Sequence, residues 1–332
     1  MKKTLAHVLG TTLATTTIVL LPGSARAAEP VVNAELVASS GSYAIGTGCS
    51  VSDPGQRTYA PLATNGSTSS HGSNLGASIT DSAGVRSDVT RSALGKGKVT
   101  VRDGQLAALT FSGTAALDVT TQPTQTCGVG TWTRVETRLV FTLTRPQWFS
   151  ARTTTTSRAQ VALSLYSHDE TTSVRIDALA GGEASANWYL PIGTYSLATE
   201  MLLSTDLVAG APSSKRTGSG TTQVALHDTG GAHAAASGSG TRYVAPGNRV
   251  TCATHQLPAR FGKRVKSATF YVNGRKVRTV SRPKAGSVVA LPVLDGTRTS
   301  SVRVRLVVDP PGHRTRKTVA VTRSYRACTP AR

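Results

Sequence analysis

The chain has 332 residues and a formal net charge of +20 at pH 7. Residues 241–332 hold 20 Lys and Arg residues against two acids, whereas residues 29–240 hold 14 against 15. This asymmetry predicts an anionic partner for the last third of the chain. We do not expect sequence-specific nucleic-acid binding, because aromatic residues make up only 5% of the chain and no recognition helix is evident.

The first 27 residues have the pattern of an export signal. Two lysines precede a weakly apolar run that ends at Pro22, and residues 25–27 (Ala-Arg-Ala) form a small-x-small cleavage site. The run is short for a membrane anchor, which needs ~20 strongly apolar residues. We therefore expect a secreted protein, extracellular or cell-wall associated, with no membrane span after signal removal.

Residues 28–209 have the pattern of an antiparallel β-sandwich. Short runs rich in Val, Leu, Thr and Tyr are separated by Gly, Pro, Ser and Asn, and no long helical pattern follows the signal. Within one such run Leu139, Phe141 and Leu143 alternate with polar or smaller residues, as expected for a strand with one buried face. The sequence therefore predicts an all-β fold.

Residues 210–242 differ in composition from the segments on either side. Gly, Ser, Ala and Thr dominate, and repeated Gly-Ser and Gly-Gly pairs interrupt any periodicity. This composition is typical of a flexible linker, and we expect one short strand at most within it, at residues 223–226. A second, basic domain is then predicted at residues 243–332.

The second domain contains the clearest hairpin of the sequence. Asn273 and Gly274 lie between two β-prone runs, and a type I′ turn favours this pair because both of its central φ angles are positive. A two-residue loop fixes the register as Val272 opposite Arg275, Tyr271 opposite Lys276, Phe270 opposite Val277 and Thr269 opposite Arg278.

Four basic side chains are expected on the outer face of this domain. Lys276 and Arg278 share the solvent side of the hairpin in the expected register. Arg303 and Arg305 alternate with apolar residues in a later run, so they point outward as well. We predict that these four residues bind an anionic cell-envelope polymer or polysaccharide.

The segment FYVNGRKV at residues 270–277, followed by a later glycine turn and a final strand running into Cys328, carries a family resemblance. It resembles the immunoglobulin-like modules of secreted bacterial proteins, often actinobacterial, over residues 245–329. The resemblance implies an immunoglobulin-like β-sandwich with an adhesive, spacer or carbohydrate-associated role and no catalytic residues. Residues 190–195 resemble the turn-to-strand step of jelly-roll-like accessory domains, and the rest of the first part resembles no family.

The four cysteines of an exported chain predict two disulfides. Three pairings are possible, and the two-domain organisation favours Cys49 with Cys127 and Cys252 with Cys328. A metal site would need closely spaced ligand pairs such as C-x-x-C, and none occurs.

No residue pattern predicts a catalytic, cofactor or metal site. The cluster at residues 168–170 (His-Asp-Glu) follows one apolar run and precedes another, so we interpret it as a solvated hairpin turn. His227 and His233 could ligate a metal, but both fall in the predicted linker, so we do not expect a metal site there. Tryptophans on β-sandwich faces can stack on sugars, but they more often fill cores. We therefore expect a core role for Trp132, Trp148 and Trp188, with Trp148 the most exposed of the three.

These observations predict a secreted, non-catalytic, envelope-associated or adhesive binding protein whose basic domain contacts anionic polymers. Two alternatives remain open. A secreted hydrolase would need convergent acids or histidines in a cleft of the first domain. A purely structural spacer would scatter its basic residues evenly.

Overall fold

The computed structural model describes residues 31–156, 158–292, 297–311 and 315–329. Within these ranges the chain is all-β, which confirms the predicted fold class. The described residues include no helix long and apolar enough to cross a membrane. The export signal predicted at residues 1–27 lies outside the described ranges.

Two antiparallel sheets form the first part of the chain. The six-stranded sheet has the order β10-β9-β12-β7-β1-β3. Its strands are β1 (Val31–Ile45), β3 (Gly55–Pro61), β7 (Gly128–Leu143), β9 (Ala159–Ser167), β10 (Ser173–Leu179) and β12 (Gly193–Leu207). The seven-stranded sheet has the order β11-β8-β13-β6-β5-β4-β2. Its strands are β2 (Ser50–Val51), β4 (Thr68–Thr80), β5 (Arg86–Arg102), β6 (Gln105–Thr120), β8 (Gln147–Thr155), β11 (Glu183–Leu190) and β13 (Ser214–Asp228).

The core of the first part lies between these two sheets. Alternation in β7 buries Leu139, Phe141 and Leu143, as the sequence predicted. They belong to one apolar cluster with Leu109 and Phe149 of the opposite sheet. The two inner faces therefore form a sandwich, and every second residue of each long strand is left on an outer face.

The linker predicted at residues 210–242 is wrong over residues 214–228. Strand β13 (Ser214–Asp228) lies inside the seven-stranded sheet, hydrogen-bonded to β6 on one side and to β8 on the other. Its glycines serve close packing: a Cβ at Gly218 would lie 2.7 Å from that of Ala159, and one at Gly220 would overlap Val161. Small residues in this strand let the opposite sheet approach, which composition alone cannot separate from flexibility.

Two further sheets form the last part of the chain. The three-stranded sheet has the order β14-β15-β18, with β14 (Val244–Pro246), β15 (Gln256–Phe261) and β18 (Val288–Pro292). The four-stranded sheet has the order β17-β16-β19-β20, with β16 (Val265–Val272), β17 (Arg275–Ser281), β19 (Ser300–Val308) and β20 (Lys317–Tyr325). The buried residues of their shared apolar cluster, which includes Phe261 and Phe270, all lie between residues 243 and 328.

Both predicted disulfides are confirmed. Cys49 is bonded to Cys127 with a sequence separation of 78, and Cys252 to Cys328 with a separation of 76. The first bond adjoins a small apolar cluster at one end of the first sandwich. The second adjoins the apolar cluster of the last part.

The two parts meet where β13 ends. The indole nitrogen of Trp148 donates a 2.8 Å hydrogen bond to the carbonyl oxygen of Ala327. Asp228 pairs with Arg145 at 3.1 Å on one side and with Arg249 at 3.5 Å on the other. His227 lies half-buried beside this junction, with Nε2 3.0 Å from the hydroxyl of Ser150.

The stability of the protein should fall as the pH is lowered from about 6.5 to about 4. Burial, together with Arg326 and His233, lowers the pKa of His227 from its ordinary 6.5 to about 4, and Asp228 opposes the shift. Between these values the unfolded chain binds the proton and the folded chain does not, so acid favours unfolding. Urea denaturation across this window should show a shallower pH dependence for His227→Gln. A residual slope is expected because burial also lowers the pKa of His233. Identical slopes in both proteins would contradict the assignment.

Candidate functional site

The outer face of the four-stranded sheet carries the predicted basic residues of β19. Val302, Val304 and Leu306 point inward and are fully buried. Arg303 and Arg305 occupy the alternate positions and are exposed. Period-two alternation therefore places both guanidinium groups on one solvent face, as predicted.

The hairpin between β16 and β17 is only partly as expected. Asn273 and Gly274 have φ angles of 49° and 81°, which fits the predicted type I′ turn. Tyr271 pairs with Lys276, as the two-residue loop requires. A bulge then shifts the register, so Phe270 pairs with Arg278 instead of Val277. The expected pairing of Thr269 with Arg278 is wrong, because Thr269 pairs with Thr279.

The bulge separates Arg278 from the other three predicted residues. An extra residue in one strand turns the following side chain away from its expected face. The Arg278 guanidinium donates a 2.9 Å hydrogen bond to the carbonyl oxygen of Ala290 in β18, at the edge of the other sheet. Arg278 is exposed there, but it is not a neighbour of Arg303 and Arg305 on the outer face.

Strand pairing brings the remaining three together. Lys276, Tyr271, Arg303 and Thr322 are successive neighbours across β17, β16, β19 and β20. Arg305 lies two residues further along the same face, or about 7 Å. We call this surface the basic groove. Its cavity has a volume of about 760 Å³, and the lining includes Tyr271, Ser301, Arg303, Arg305, Thr322 and Ser239. Lys276 is not part of this lining and lies beside it, as the strand neighbour of Tyr271.

The far wall of the basic groove comes from the segment before β14. Ser237 and Thr322 exchange backbone hydrogen bonds of 3.0 and 2.9 Å, and Gly240 donates a 3.0 Å bond to Ala320. This short ladder covers the outer edge of β20, which would otherwise expose unpaired backbone groups. The residues predicted as linker therefore shape one side of the groove.

The charges of the basic groove are not neutralised by described residues. Lys276, Arg303 and Arg305 make no ion pair or side-chain hydrogen bond within the described part of the chain. Asp309 pairs with Lys266 at 2.9 Å and lies near Arg316 at 3.6 Å, at the far end of β19. Asp295, the other acid of this region, lies outside the described residues. The groove can therefore offer three solvated cations to a ligand.

The remaining candidates of the sequence occupy other environments. The cluster at residues 168–170 is the turn between β9 and β10, as predicted, and Asp169 accepts hydrogen bonds from Thr171 within that turn. His227 and His233 lie at the junction. No group of three or more His, Cys, Asp or Glu side chains close enough to hold a metal occurs in the described ranges.

The core role predicted for the three tryptophans is wrong. Trp188 is 41% exposed at the edge of the seven-stranded sheet. Trp148, expected to be the most exposed, is half-buried and bonded to Ala327. Trp132 is half-buried on the outer face of the six-stranded sheet, where its ring lies against Gly41. The glycine that accommodates this ring is about 90 residues away in sequence, so no local signal identifies it.

Comparison with known proteins gives little further information. No family model matches the chain, and no curated protein is similar to it in sequence. The adhesin domain of Epf from Streptococcus pyogenes is similar to 67% of this chain over 78% of its own length, with 7% sequence identity and a TM-score of 0.18. A similarity this low carries no argument about function. The immunoglobulin-like resemblance of the last part therefore stays a prediction.

Proposed function

We propose that the protein is a non-catalytic adhesive protein that acts outside the cytoplasm and holds anionic polymers in its basic groove. The observation that carries this proposal is that Lys276, Arg303 and Arg305 lie on one face of a sheet and have no ion-pair partner among the described residues. Two disulfides support an oxidising environment, since such bonds persist in exported proteins.

The geometry favours a polymer over a small anion. Strands β17 and β19 hold the three cations in an extended arrangement, along and across a groove that the described residues leave open to solvent. A linear polyanion places charges at regular intervals along such a surface, and each contact releases a counterion. Arg278 is left out of this groove because of the bulge.

The hydrolase alternative has a specific difficulty. Glu136 and Glu200 lie opposite each other in β7 and β12, as a carboxylate pair would. Both are ion-paired with Arg134, and Glu136 also with Arg57 and Arg138. A glycosidase needs one of its carboxyl groups protonated to act as the general acid. Glu136 contacts three arginines and Glu200 contacts one, so both carboxylates are already engaged and the pair fits a salt-bridge network better than a catalytic pair.

Replacing Lys276, Arg303 and Arg305 together by glutamine should weaken binding to long-chain polyphosphate and flatten its salt dependence. Each lost contact lowers the log–log slope of affinity against salt by up to about 0.9 for a polymer as densely charged as duplex DNA. The slope should therefore fall by about 2 to 3. Titrations of the full chain at several salt concentrations measure it.

A matched control separates the groove from net charge. Arg260, Lys263 and Lys284 are exposed basic residues of the same region and do not line the groove. Their triple glutamine variant removes the same charge and should leave most of the slope intact. Both variants should melt like the parent protein, because exposed charges contribute little to stability. If both variants lose the same polyphosphate affinity, overall charge explains the binding and the groove is rejected as the site.

A further inference from the structure

We propose that the outer face of the six-stranded sheet is a second binding site, specific for uncharged polysaccharide chains. The site is formed by Tyr43, Tyr59 and Trp132, which we call the stacking face. It lies in the first part of the chain, and the proposal does not depend on the basic groove.

Two of the three rings lie flat on the sheet. Tyr43 pairs with Gly130 and Trp132 pairs with Gly41 across β1 and β7. A Cβ on Gly41 would lie 2.9 Å from the indole ring, and one on Gly130 would overlap the Tyr43 ring. Each ring therefore packs against glycine backbone. The Arg134 guanidinium lies over the Trp132 ring, 5.5 Å from its centroid, so a sugar would contact this ring together with the guanidinium. Tyr43 is 47% exposed, and Trp132 is half-buried in this position.

The third ring extends the face along the strands. Tyr59 lies on the edge strand β3, is 55% exposed, and pairs with Val37, which pairs with Glu136. Tyr43 is therefore level with Gly130 of β7, and Tyr59 is level with Glu136. These two positions are six residues apart along the strand, which corresponds to about 20 Å. Three aromatic rings over this length suit a chain of several sugar rings better than a single small molecule.

The polar groups between the rings are ordered. Tyr43 donates a 2.6 Å hydrogen bond to Asp206, and Arg134 pairs with Glu200 at 3.1 Å. The charged side chains around the rings include three arginines and three carboxylates: Arg57, Arg134, Arg138, Glu136, Glu200 and Asp206. Glu35, opposite Arg138, adds a further carboxylate, so the face has no excess positive charge.

This arrangement of hydrogen-bond donors beside acceptors suits the hydroxyl groups of a sugar. Guanidinium groups only donate hydrogen bonds and carboxylates only accept them, while a sugar hydroxyl does both. The nonpolar faces of pyranose rings match exposed aromatic faces, and tryptophan, tyrosine and arginine are the side chains that contribute most at binding sites. Because the cations are already neutralised, the face has no excess positive charge for a polyanion. Salt bridges hold the donors in place before binding, which lowers the entropy cost of recognition.

Affinity electrophoresis of the full chain tests the proposal. Native gels would contain hydroxyethylcellulose, glycol chitin, soluble starch or galactomannan, all of them uncharged. At least one of these polymers should retard the protein, and the retardation should persist at high salt. Failure of all four to retard it, or loss of the retardation on adding salt, overturns the proposal.

Trp132→Ala should weaken binding to the retarding polymer by about tenfold or more, the usual effect of truncating a central tryptophan. Trp188→Ala is the control, since Trp188 is 41% exposed on the other sheet and lies outside the stacking face, and this variant should bind as the parent does. Tyr59→Ala, at an exposed edge position, should also weaken binding without creating a cavity. It keeps the test decisive if Trp132→Ala is unstable.

The glutamine variant of the basic groove separates this proposal from the preceding one. It should lose polyphosphate affinity while its retardation by the neutral polymer is unchanged. Equal binding of Trp132→Ala, Tyr59→Ala and Trp188→Ala to the neutral polymer would place the sugar contact elsewhere and reject the stacking face.

Discussion

Replacing Asp53 by asparagine should lower the free energy of unfolding by about 3 kcal/mol, because it leaves a buried guanidinium without its counter-charge. Arg91 lies in β5 between the buried residues Val89 and Ala93 and is itself fully buried. Its side chain pairs with Asp53 at 2.9 Å, while Nε and Nη1 have no hydrogen-bond partner among the described residues. One carboxylate therefore supplies the only counter-charge seen for this cation in the described part of the chain.

The asparagine variant isolates the charge. Asp53 also accepts a 3.1 Å hydrogen bond from the backbone of Gly55, and an amide oxygen can keep that bond. Arg91→Met removes the buried cation while filling much of its space, so it should be neutral or stabilising. Adding Arg91→Met to Asp53→Asn should then restore most of the lost stability. Chemical denaturation of the four proteins gives the coupling energy.

A surface ion pair provides the reference for this cycle. Asp88 pairs with Arg86 at 2.6 Å, and both side chains are more than half exposed. Asp88→Asn should therefore cost under about 1 kcal/mol. If Asp53→Asn costs no more than Asp88→Asn, water solvates the Arg91 guanidinium in the folded protein and the pair is not a buried one.

The sequence predicted the features that depend on neighbouring residues. Strand alternation in β7 and β19 is a local pattern, so the burial of Phe141 and the exposure of Arg303 were both correctly expected. The cysteine pairing was also correct, since each bond stays within one of the two compositionally different parts of the chain. The all-β class follows from the same local patterns repeated along the chain.

Features that depend on distant partners were missed. Gly220 belongs to a buried strand because Val161 occupies the space of its absent side chain. Arg91 stands in an ordinary alternating run, and only the folded sandwich shows that its side is the buried one. Arg278 left the outer face because a bulge intervenes after a correctly predicted turn. In each case the deciding contact joins residues whose proximity local sequence cannot reveal.

Replacing Cys252 and Cys328 together by alanine should destabilise the last part of the chain by about 4.5 kcal/mol. This is the loop-closure estimate for a separation of 76 residues. For a unit of this size the melting temperature should fall by roughly 20 °C or more. If residues 243–329 form a domain of their own, as the sequence predicts, calorimetry should show a new, early transition while the first sandwich melts as before.

Trp148 gives a local signal for this transition. Its indole nitrogen is bonded to Ala327, the residue before Cys328, so unfolding of the last part must release it. In a background with Trp132→Phe and Trp188→Phe, Trp148 fluorescence should shift to the red at the early transition. Because Trp148 itself lies in the first sandwich, the shift marks separation of the two parts while the sandwich is still folded.

The other disulfide supplies the control that decides the domain division. Replacing Cys49 and Cys127 by alanine opens a loop of nearly the same size, with a separation of 78, so the expected loss is similar. That loss should lower the melting temperature of the first sandwich, while the last part of the chain stays folded. A single transition that moves by the same amount in both double variants would show one cooperative unit. The junction at Trp148, Asp228 and Arg249 would then couple the two sandwiches more strongly than their separate cores suggest.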